Sequence, residues 1–544
     1  MACALALAVV WHVVAPRTAD LAAQVYRTQL FAREGFAVWD NNWFGGHHLP
    51  GYSLLFPALA ASLGPSVVGM ASVIASTGLF AALVGDRSPG RKLAIGWFAC
   101  AATGDLFIGR LTFALGVTCA MACLLAVARR RPALAVAIGL LTAAASPVSA
   151  LLLTLVLVAW WPPLGHRWRF AVLAAPIGLA GALSLVFPEG GAQPYGIASA
   201  LAALAIVAGV RAVLPVTMRE ARRGTVLYGL AIALAYALPT PMGSNVARLG
   251  VLAGGPLLAL AAGAAGGPAR SRRAVLVGTA VAVLCWQLWA PVTEGLKAHD
   301  SQATTRAYFQ PLTTELARLP PGRVEVVPTS TRWESVYVAG HVALARGWET
   351  QLDRRYNGLF YNDSLRPQAY GRWLRHLGVA YVAVSDGPKE RWGRSEARLL
   401  AQPPGFLTQV WHRGHWRLLA VSGTPPIVAG GRLLALRPES VTVAATHAGP
   451  LAVRVRYTRF WDAGSGVCIT RTPSGFTRLV VPAAGTYTLR ASFAVSGLLQ
   501  GSQPTCASPA VAVPSTPGTT AASDPARTAN ARRALSAHPR TLTP

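Results

Sequence analysis

One polar stretch carries most of the reactive side chains in the first half of the chain. Asp20 opens it, followed by Gln24, Tyr26, Arg27, Gln29, Arg33 and Glu34. It continues as Trp39-Asp40-Asn41-Asn42-Trp43-Phe44-Gly45-Gly46-His47-His48-Leu49-Pro50-Gly51-Tyr52. A carboxylate such as Asp20 can take the proton of an attacking hydroxyl. The same residue, preceded by Thr18 and Ala19, also suits the N-cap of a helix over Leu21–Arg33, where its charge meets exposed amides. Asp40, Asn42, Trp43, His47 and His48 are candidate substrate-binding residues. Neighbouring side chains of an extended segment point to opposite sides, so His47 and His48 are poor joint ligands for one metal. The alternative is a solvated loop with Trp39, Trp43 and Tyr52 as interfacial anchors; those rings also suit stacking on a sugar.

Three further sets have the right types. Asp105 and Arg110 flank Leu-Phe-Ile-Gly, and an acid and an arginine at membrane depth pair with each other or line a cavity. Asn245 and Arg248 follow Pro239-Thr-Pro-Met-Gly-Ser. An arginine there suits a lipid phosphate by charge and fork geometry, or snorkels to headgroups. Trp348, Glu349, Asp353, Arg354, Arg355, Tyr356, Asn357, Tyr361 and Asn362 form the densest polar-aromatic cluster of the second half, suited to a carbohydrate groove or to a polar domain interface.

The elements that must position these groups are membrane helices. The 544 residues are 53% hydrophobic and 13% charged, too apolar for one soluble protein. The net charge of +28 does not read as nucleic-acid binding, because no binding motif accompanies it. The arginines instead cluster between apolar runs. Those runs recur near 1–15, 53–84, 93–108, 111–128, 132–145, 147–161, 170–187, 196–214, 225–238, 248–265 and 274–291. Basic groups follow every second one: Arg87/Arg91/Lys92, Arg129/Arg130/Arg131, Arg167/Arg169, Arg219/Arg222/Arg223 and Arg270/Arg272/Arg273. Read with the positive-inside rule, this predicts about 11 transmembrane helices in a polytopic α-helical membrane protein, with a cytoplasmic N-terminus. Residues 1–292 form the transmembrane domain, with a first outer loop at 16–52, and the C-terminal half lies outside. Met1–Ala15 lacks a basic n-region and runs straight into the polar stretch, so no cleavable signal peptide is expected. It is short for a span, so a start upstream of Met1 is expected.

After Pro291 the composition turns soluble. Residues 293–425 read as an extracytoplasmic α/β domain, with strands at Val324–Val327 and Val379–Val384 and a helix at Gln368–Leu377 presenting Tyr370, Trp373, Leu374 and Leu377 on one face. Residues 426–507 read as a β-rich, sandwich-like module, with alternation over Leu451–Tyr457, Thr477–Val481 and Gly485–Val495. Residues 508–544 read as a disordered tail. Cys3, Cys100, Cys119, Cys123 and Cys285 fall in apolar runs as packing residues. Cys468 and Cys506 are the two in the soluble half and are a candidate disulfide in an oxidising compartment. No metal set, phosphate loop, zinc-protease motif or nucleophile elbow is present, and the sequence leaves the cofactor unknown, with a divalent metal compatible.

This layout resembles the C-type fold of polytopic glycosyltransferases that use polyprenyl-phosphate-linked sugars, and in particular an actinobacterial membrane-protein branch. The resemblance rests on an acid just after the first span, the long outer loop, and short strings. They are Trp43-Phe44-Gly45-Gly46-His47 with Leu49-Pro50-Gly51-Tyr52, Gly109-Arg110 with Phe113 and Gly116, Pro241-Met-Gly243-Ser-Asn245 with Arg248, and Arg456-Tyr457 with Phe460-Trp461. It implies a plasma-membrane enzyme that moves a sugar from a polyprenyl-phosphate donor to an envelope glycan or lipid acceptor. Asp20 would be the base, and Arg248 with Arg110 would hold the donor phosphate. The chain departs from relatives with a paired acid after the first span, because Leu21 follows Asp20 and the next acid is Glu34. A transporter or lipid-handling protein, or a non-catalytic envelope scaffold, remains the alternative.

Overall fold

Pro16 ends the first helix. A residue before proline is steered away from the α region, and Ala15 closes helix α1 (Ala2–Val14) in the left-handed region, with φ 42°. The chain turns by 83° into α2 (Ala19–Glu34). In this computed structural model, residues 1–86, 88–264, 270–362 and 364–493 are described. A two-stranded ribbon, β1 (Trp39–Asp40) and β2 (His47–His48), follows α2. The helices then run α3 (Phe56–Leu63), α4 (Pro65–Val84), α5 (Arg91–Ile108), α6 (Leu111–Ala128), α7 (Pro132–Ala145), α8 (Pro147–Trp160), α9 (His166–Val186), α10 (Ile197–Val213), α11 (Arg219–Ala237), α12 (Ala247–Ala264) and α13 (Arg270–His299).

Every apolar run of the sequence holds a helix. The run at 53–84 holds two, α3 and α4, because Gly64 between them takes φ 87°. By length and composition, five of the described helices can cross a membrane, or six if the bent α1–α2 pair is one span. Helices α7, α8 and α10 are apolar but shorter. Helix α13 does not stop near Pro291; it carries that proline inside and continues to His299.

The second half forms an α/β layer and a β-sandwich. The α/β layer contains α14 (Arg306–Leu316), β3 (Arg323–Val326), α15 (Glu334–Tyr337), β4 (Ala343–Leu344), α16 (Thr350–Tyr356), α17 (Pro367–Leu377), β5 (Val379–Ser385), α18 (Arg394–Ala401), β6 (Leu407–Arg413) and β7 (Trp416–Val421). Its sheet has the order β4-β3-β5-β7-β6, with β4, β3 and β5 parallel and β7 and β6 antiparallel. Tyr370, Trp373, Leu374 and Leu377 of α17 are buried, as their spacing predicts. The sandwich strands are β8 (Val428–Ala429), β9 (Gly431–Leu436), β10 (Ser440–Ala445), β11 (Gly449–Arg456), β12 (Trp461–Asp462), β13 (Cys468–Arg471), β14 (Phe476–Val481) and β15 (Gly485–Ala491). They form two antiparallel sheets, β12-β15-β10-β9 and β13-β14-β11-β8. Cys468 starts β13, whereas Cys506 and the tail lie outside the described residues.

The segment expected as a solvated outer loop is core. Tyr26, Leu30, Trp43 and Phe44 pack with Phe309, Val324, Trp333 and Trp416 of the α/β layer. Val38 and Trp39 pack with Phe187 at the end of α9 and with Val443, Trp461 and Leu479 of the sandwich. Trp39 and Trp43 are therefore buried in protein rather than anchored at an interface, because burying such rings removes 150–250 Å² each from water. The described residues consequently form one compact unit, and 16–52 is a wedge between the regions that follow it.

Candidate functional site

The polar groups of the helical half converge at the start of α2. Thr18, not Asp20, is the N-cap, and it makes no side-chain cap bond; its hydroxyl donates to the Ile108 carbonyl at 2.7 Å. Trp333 Nε1 donates to Arg17 O at 2.9 Å, and Trp348 Nε1 donates to Ala19 O at 2.7 Å. Three partners distant in sequence thus fix the first turn of α2. Asp20 sits in that turn and accepts from Arg110 Nε at 3.0 Å.

Arg110 reaches Asp20 because Gly109 ends α5 with φ 90°. A Cβ there would lie 2.3 Å from the Leu21 amide nitrogen, so only glycine lets the end of α5 approach α2 this closely. Arg110 also stands 3.9 Å from Asp105. Asp20 and Arg110 remain about a quarter exposed, whereas Asp105 is buried. Arg110 is thus shared between two acids.

Arg248 completes the cluster. Its Nη2 donates to Asn245 Oδ1 at 2.7 Å, and its guanidinium lies 4.9 Å from the Phe113 ring centroid. Asn245 therefore orients Arg248. Among the described residues Arg248 forms no ion pair, in contrast to Arg110. Asp20, Asp105, Arg110 and Tyr52 all lie within electrostatic reach of it. The structure thus brings together Asp20, Asp105, Arg110, Asn245 and Arg248, which the sequence spreads over more than two hundred residues.

It does not add Asp40, Asn42, Trp43, His47 and His48 as an open binding surface. Asp40 is fully buried and accepts from Tyr26 Oη at 2.8 Å and from the Asn42 amide at 2.9 Å. Asn42 Nδ2 donates to Ala339 O at 2.8 Å. Trp43 stacks between Tyr26 and His47, with ring centroids 4.4 and 5.4 Å away. His48 meets Glu189 at 2.9 Å and Thr458 Oγ1 at 3.1 Å. Their work is to lock the wedge to the sandwich and the α/β layer. Burial pushes the Asp40 carboxyl up to about 6, the Glu189 carboxyl up to about 8, and the His47 and His48 imidazoles down to about 3 and about 4. His48 and Glu189 meet as neutral groups near pH 7.

The cluster at 348–362 is an interface as well. Asp353 receives Arg346 at 2.5 Å, Asn357 Nδ2 at 2.8 Å and Tyr361 Oη at 2.7 Å. Glu349 pairs with Arg27, and Arg355 bonds the Glu189 carbonyl. Burial outweighs Arg27 and raises Glu349 to about 7. Gln24 and Arg27, beside Asp20, belong to the polar stretch but are not among its candidate site residues. The signal was present, because Asp20, Gln24 and Arg27 follow helical spacing and face one way.

Below the cluster lies an apolar cavity of about 280 Å³, between α8, α10, α11 and α12. Leu249 and Gly250 line it beside Arg248, and Tyr228, Trp286, Leu155 and Val207 form its walls. It approaches the lower end of the ~300–1,000 Å³ range of small-molecule pockets. Among the described residues no group of three or more His, Cys, Asp or Glu is placed to hold a metal.

No protein-family model matches this chain, and no curated protein does. Solved structures of the arabinofuranosyltransferase AftD from Mycobacteria are similar to it. One is 14% identical, with a TM-score of 0.46, over 91% of this chain and 57% of that one. A mutant form is 15% identical, with a TM-score of 0.45, over 91% of this chain and 60% of that one. The chain thus spans less than two thirds of the AftD chains it matches, and a likeness at this score carries no argument about reaction or substrate.

Proposed function

We propose that this chain is a membrane glycosyltransferase that moves a sugar from a polyprenyl-phosphate donor to an envelope glycan or lipid at the outer face of the plasma membrane. On this reading about eleven helices span the bilayer, the N-terminus is cytoplasmic and the C-terminal half is outside. The observation that carries the proposal is the juxtaposition of Asp20 with Arg248, which forms no ion pair among the described residues, beside an apolar cavity that starts at Leu249. A phosphate needs the arginine, a prenyl chain needs the cavity, and an acceptor hydroxyl needs the acid.

The donor phosphate binds Arg248 and competes with Asp20 for Arg110. That exchange frees Asp20. The acceptor oxygen then attacks the anomeric carbon from the face opposite the phosphate. The new carbon–oxygen bond forms, the carbon–oxygen bond to phosphate breaks, and the acceptor proton passes to Asp20. The polyprenyl phosphate leaves with its added charge facing two arginines.

The test uses the purified full chain, radiolabelled polyprenyl-phosphate sugars and an envelope glycan extract. Asp20→Asn should lower transfer by about 10²–10⁴-fold while donor binding persists. Arg248→Ala should weaken donor binding. Transfer unchanged in both variants sinks the assignment. The closed Asp20–Arg110 pair favours one rival, a scaffold in which that pair only fastens α2; a wild-type chain that neither binds donor nor transfers sugar would establish it.

A further inference from the structure

Three side chains lie along one face of α2. Asp20, Gln24 and Arg27 are spaced i, i+4 and i+7, so each neighbours the next. Gln24 is fully buried, and its Nε2 donates to Tyr52 Oη at 2.7 Å. The other end of its amide has no partner among the described residues. Arg27 is 4% exposed and bonds Glu349 through Nη2, while Nε and Nη1 have no hydrogen-bond partner among the described residues. Its guanidinium covers Tyr52, 3.8 Å from the ring centroid. Each such orphan costs about 1–3 kcal/mol, which makes two neighbours on one face unusual in a finished core.

We propose that this face is the acceptor subsite and that it takes a neutral sugar residue. The inference rests on the transferase reading and extends it to residues beyond Asp20. The chemistry of the orphans selects the ligand. Arg27 offers only donors, and whichever way the Gln24 amide is turned, an end remains to be bonded. A hydroxyl donates and accepts, so it answers both. An anion would answer Arg27 but meet the Glu349 carboxylate, and a cation would leave Arg27 unanswered. Tyr52 and Trp348, both half-buried, stand edge to face with centroids 6.2 Å apart. Such rings give a sugar its apolar face. Trp348 is fastened to Ala19 O, next to Asp20. A sugar lying against Trp348 and Tyr52 places one hydroxyl at Gln24 and Arg27 and another at Asp20, where it attacks.

The experiment reads acceptor contact without donor. Methyl glycosides of a hexopyranose and of a pentofuranose are offered to the full chain in lipid nanodiscs, and saturation transfer from protein to glycoside is measured by NMR. Wild type and Asp20→Asn should both contact at least one glycoside. Gln24→Leu should weaken that contact about tenfold or more, and so should Trp348→Ala, which also removes a bond to Ala19 O and is therefore read only at temperatures where its melt shows it folded. Thermal melting confirms that each variant is folded. Contact that survives both substitutions overturns the subsite, as does no contact with either glycoside, since water alone would then fill the orphans. Donor hydrolysis is assayed in the same samples. Hydrolysis without glycoside contact rejects the subsite and keeps the transferase. Contact without hydrolysis or transfer rejects the transferase and keeps a carbohydrate site.

Discussion

At the scale of single residues, the two arginines of the site do different work. Arg110 is held between Asp20 and Asp105, whereas Arg248 is aimed by Asn245 and pairs with no acid among the described residues. Removing Asn245 as an acceptor should therefore act through Arg248. Asn245→Ala is expected to raise the donor KM more than it lowers kcat, checked by steady-state transfer kinetics. Arg27 and Glu349 form a buried pair. Arg27→Met leaves Glu349 without a counter-charge, a change that costs about 3–5 kcal/mol when the acid stays ionised. Burial already raises Glu349 to about 7, so the acid can escape by taking a proton. Losing Arg27 also removes what holds Glu349 down, so the acid titrates still higher in the variant; the loss should be larger near pH 8 than near pH 6, measured as the unfolding midpoint of the variant against wild type at both values.

At the scale of elements, the approach of α5 to α2 depends on one hydrogen atom. Gly109→Ala sets a Cβ 2.3 Å from the Leu21 amide nitrogen in a backbone region closed to alanine. It should destabilise the protein by about 1–3 kcal/mol and depress transfer by parting Arg110 from Asp20. Circular dichroism melts and activity would show both losses together. Gly64, with open space around its Cβ, is a fair control for glycine loss. The helices themselves were legible, since alanine, leucine and valine runs bounded by arginine leave little alternative, and α17 and the main strands follow their periodicity. The use of 16–52 was not. Its acids, amides and histidines read as a wet surface because polarity is visible in sequence and partners are not. Asp40 is buried by Tyr26, fourteen residues away, but Arg27 by Glu349, more than three hundred away. Asp20 was legible as an acid at a boundary, yet its partner Arg110 was visible only as half of another pair.

At the scale of the whole molecule, buried carboxyls set the response to pH. Glu189 stands at about 8, and Glu349, Glu334 and Glu396 at about 7, all raised by burial. Between the ordinary carboxylate value and these raised ones, the folded protein holds protons that the unfolded chain has released. Stability therefore falls as pH rises through that window, by about 1.4 kcal/mol per pH unit for each proton fully held. His47 and His48 act oppositely. Their lowered values make folding lose stability as pH falls below about 6.5 and contribute no slope above it. From pH 6.5 to 8 the raised acids outnumber Lys389, which burial lowers to about 8 and whose effect is opposite, so the unfolding midpoint in a fixed detergent should drop over that range. Glu189→Gln should flatten the slope, and a midpoint that rises instead would contradict it.

The wedge at 16–52 also sets a timetable. Its partners, from Ala303 to Leu489, are synthesised roughly 300 residues later, which at ~5–20 residues per second is on the order of half a minute. Until then Tyr26 and Trp43 have no core to enter, Trp39 has only the end of α9 and not the sandwich, and neither Trp333 nor Trp348 is there to grip the start of α2. Asp20 comes to its place only when the far half of the chain has been made and folded back. A ribosome that stalls midway leaves a bundle of helices with the acid loose at its end, so competence arrives with the last core to close and not before.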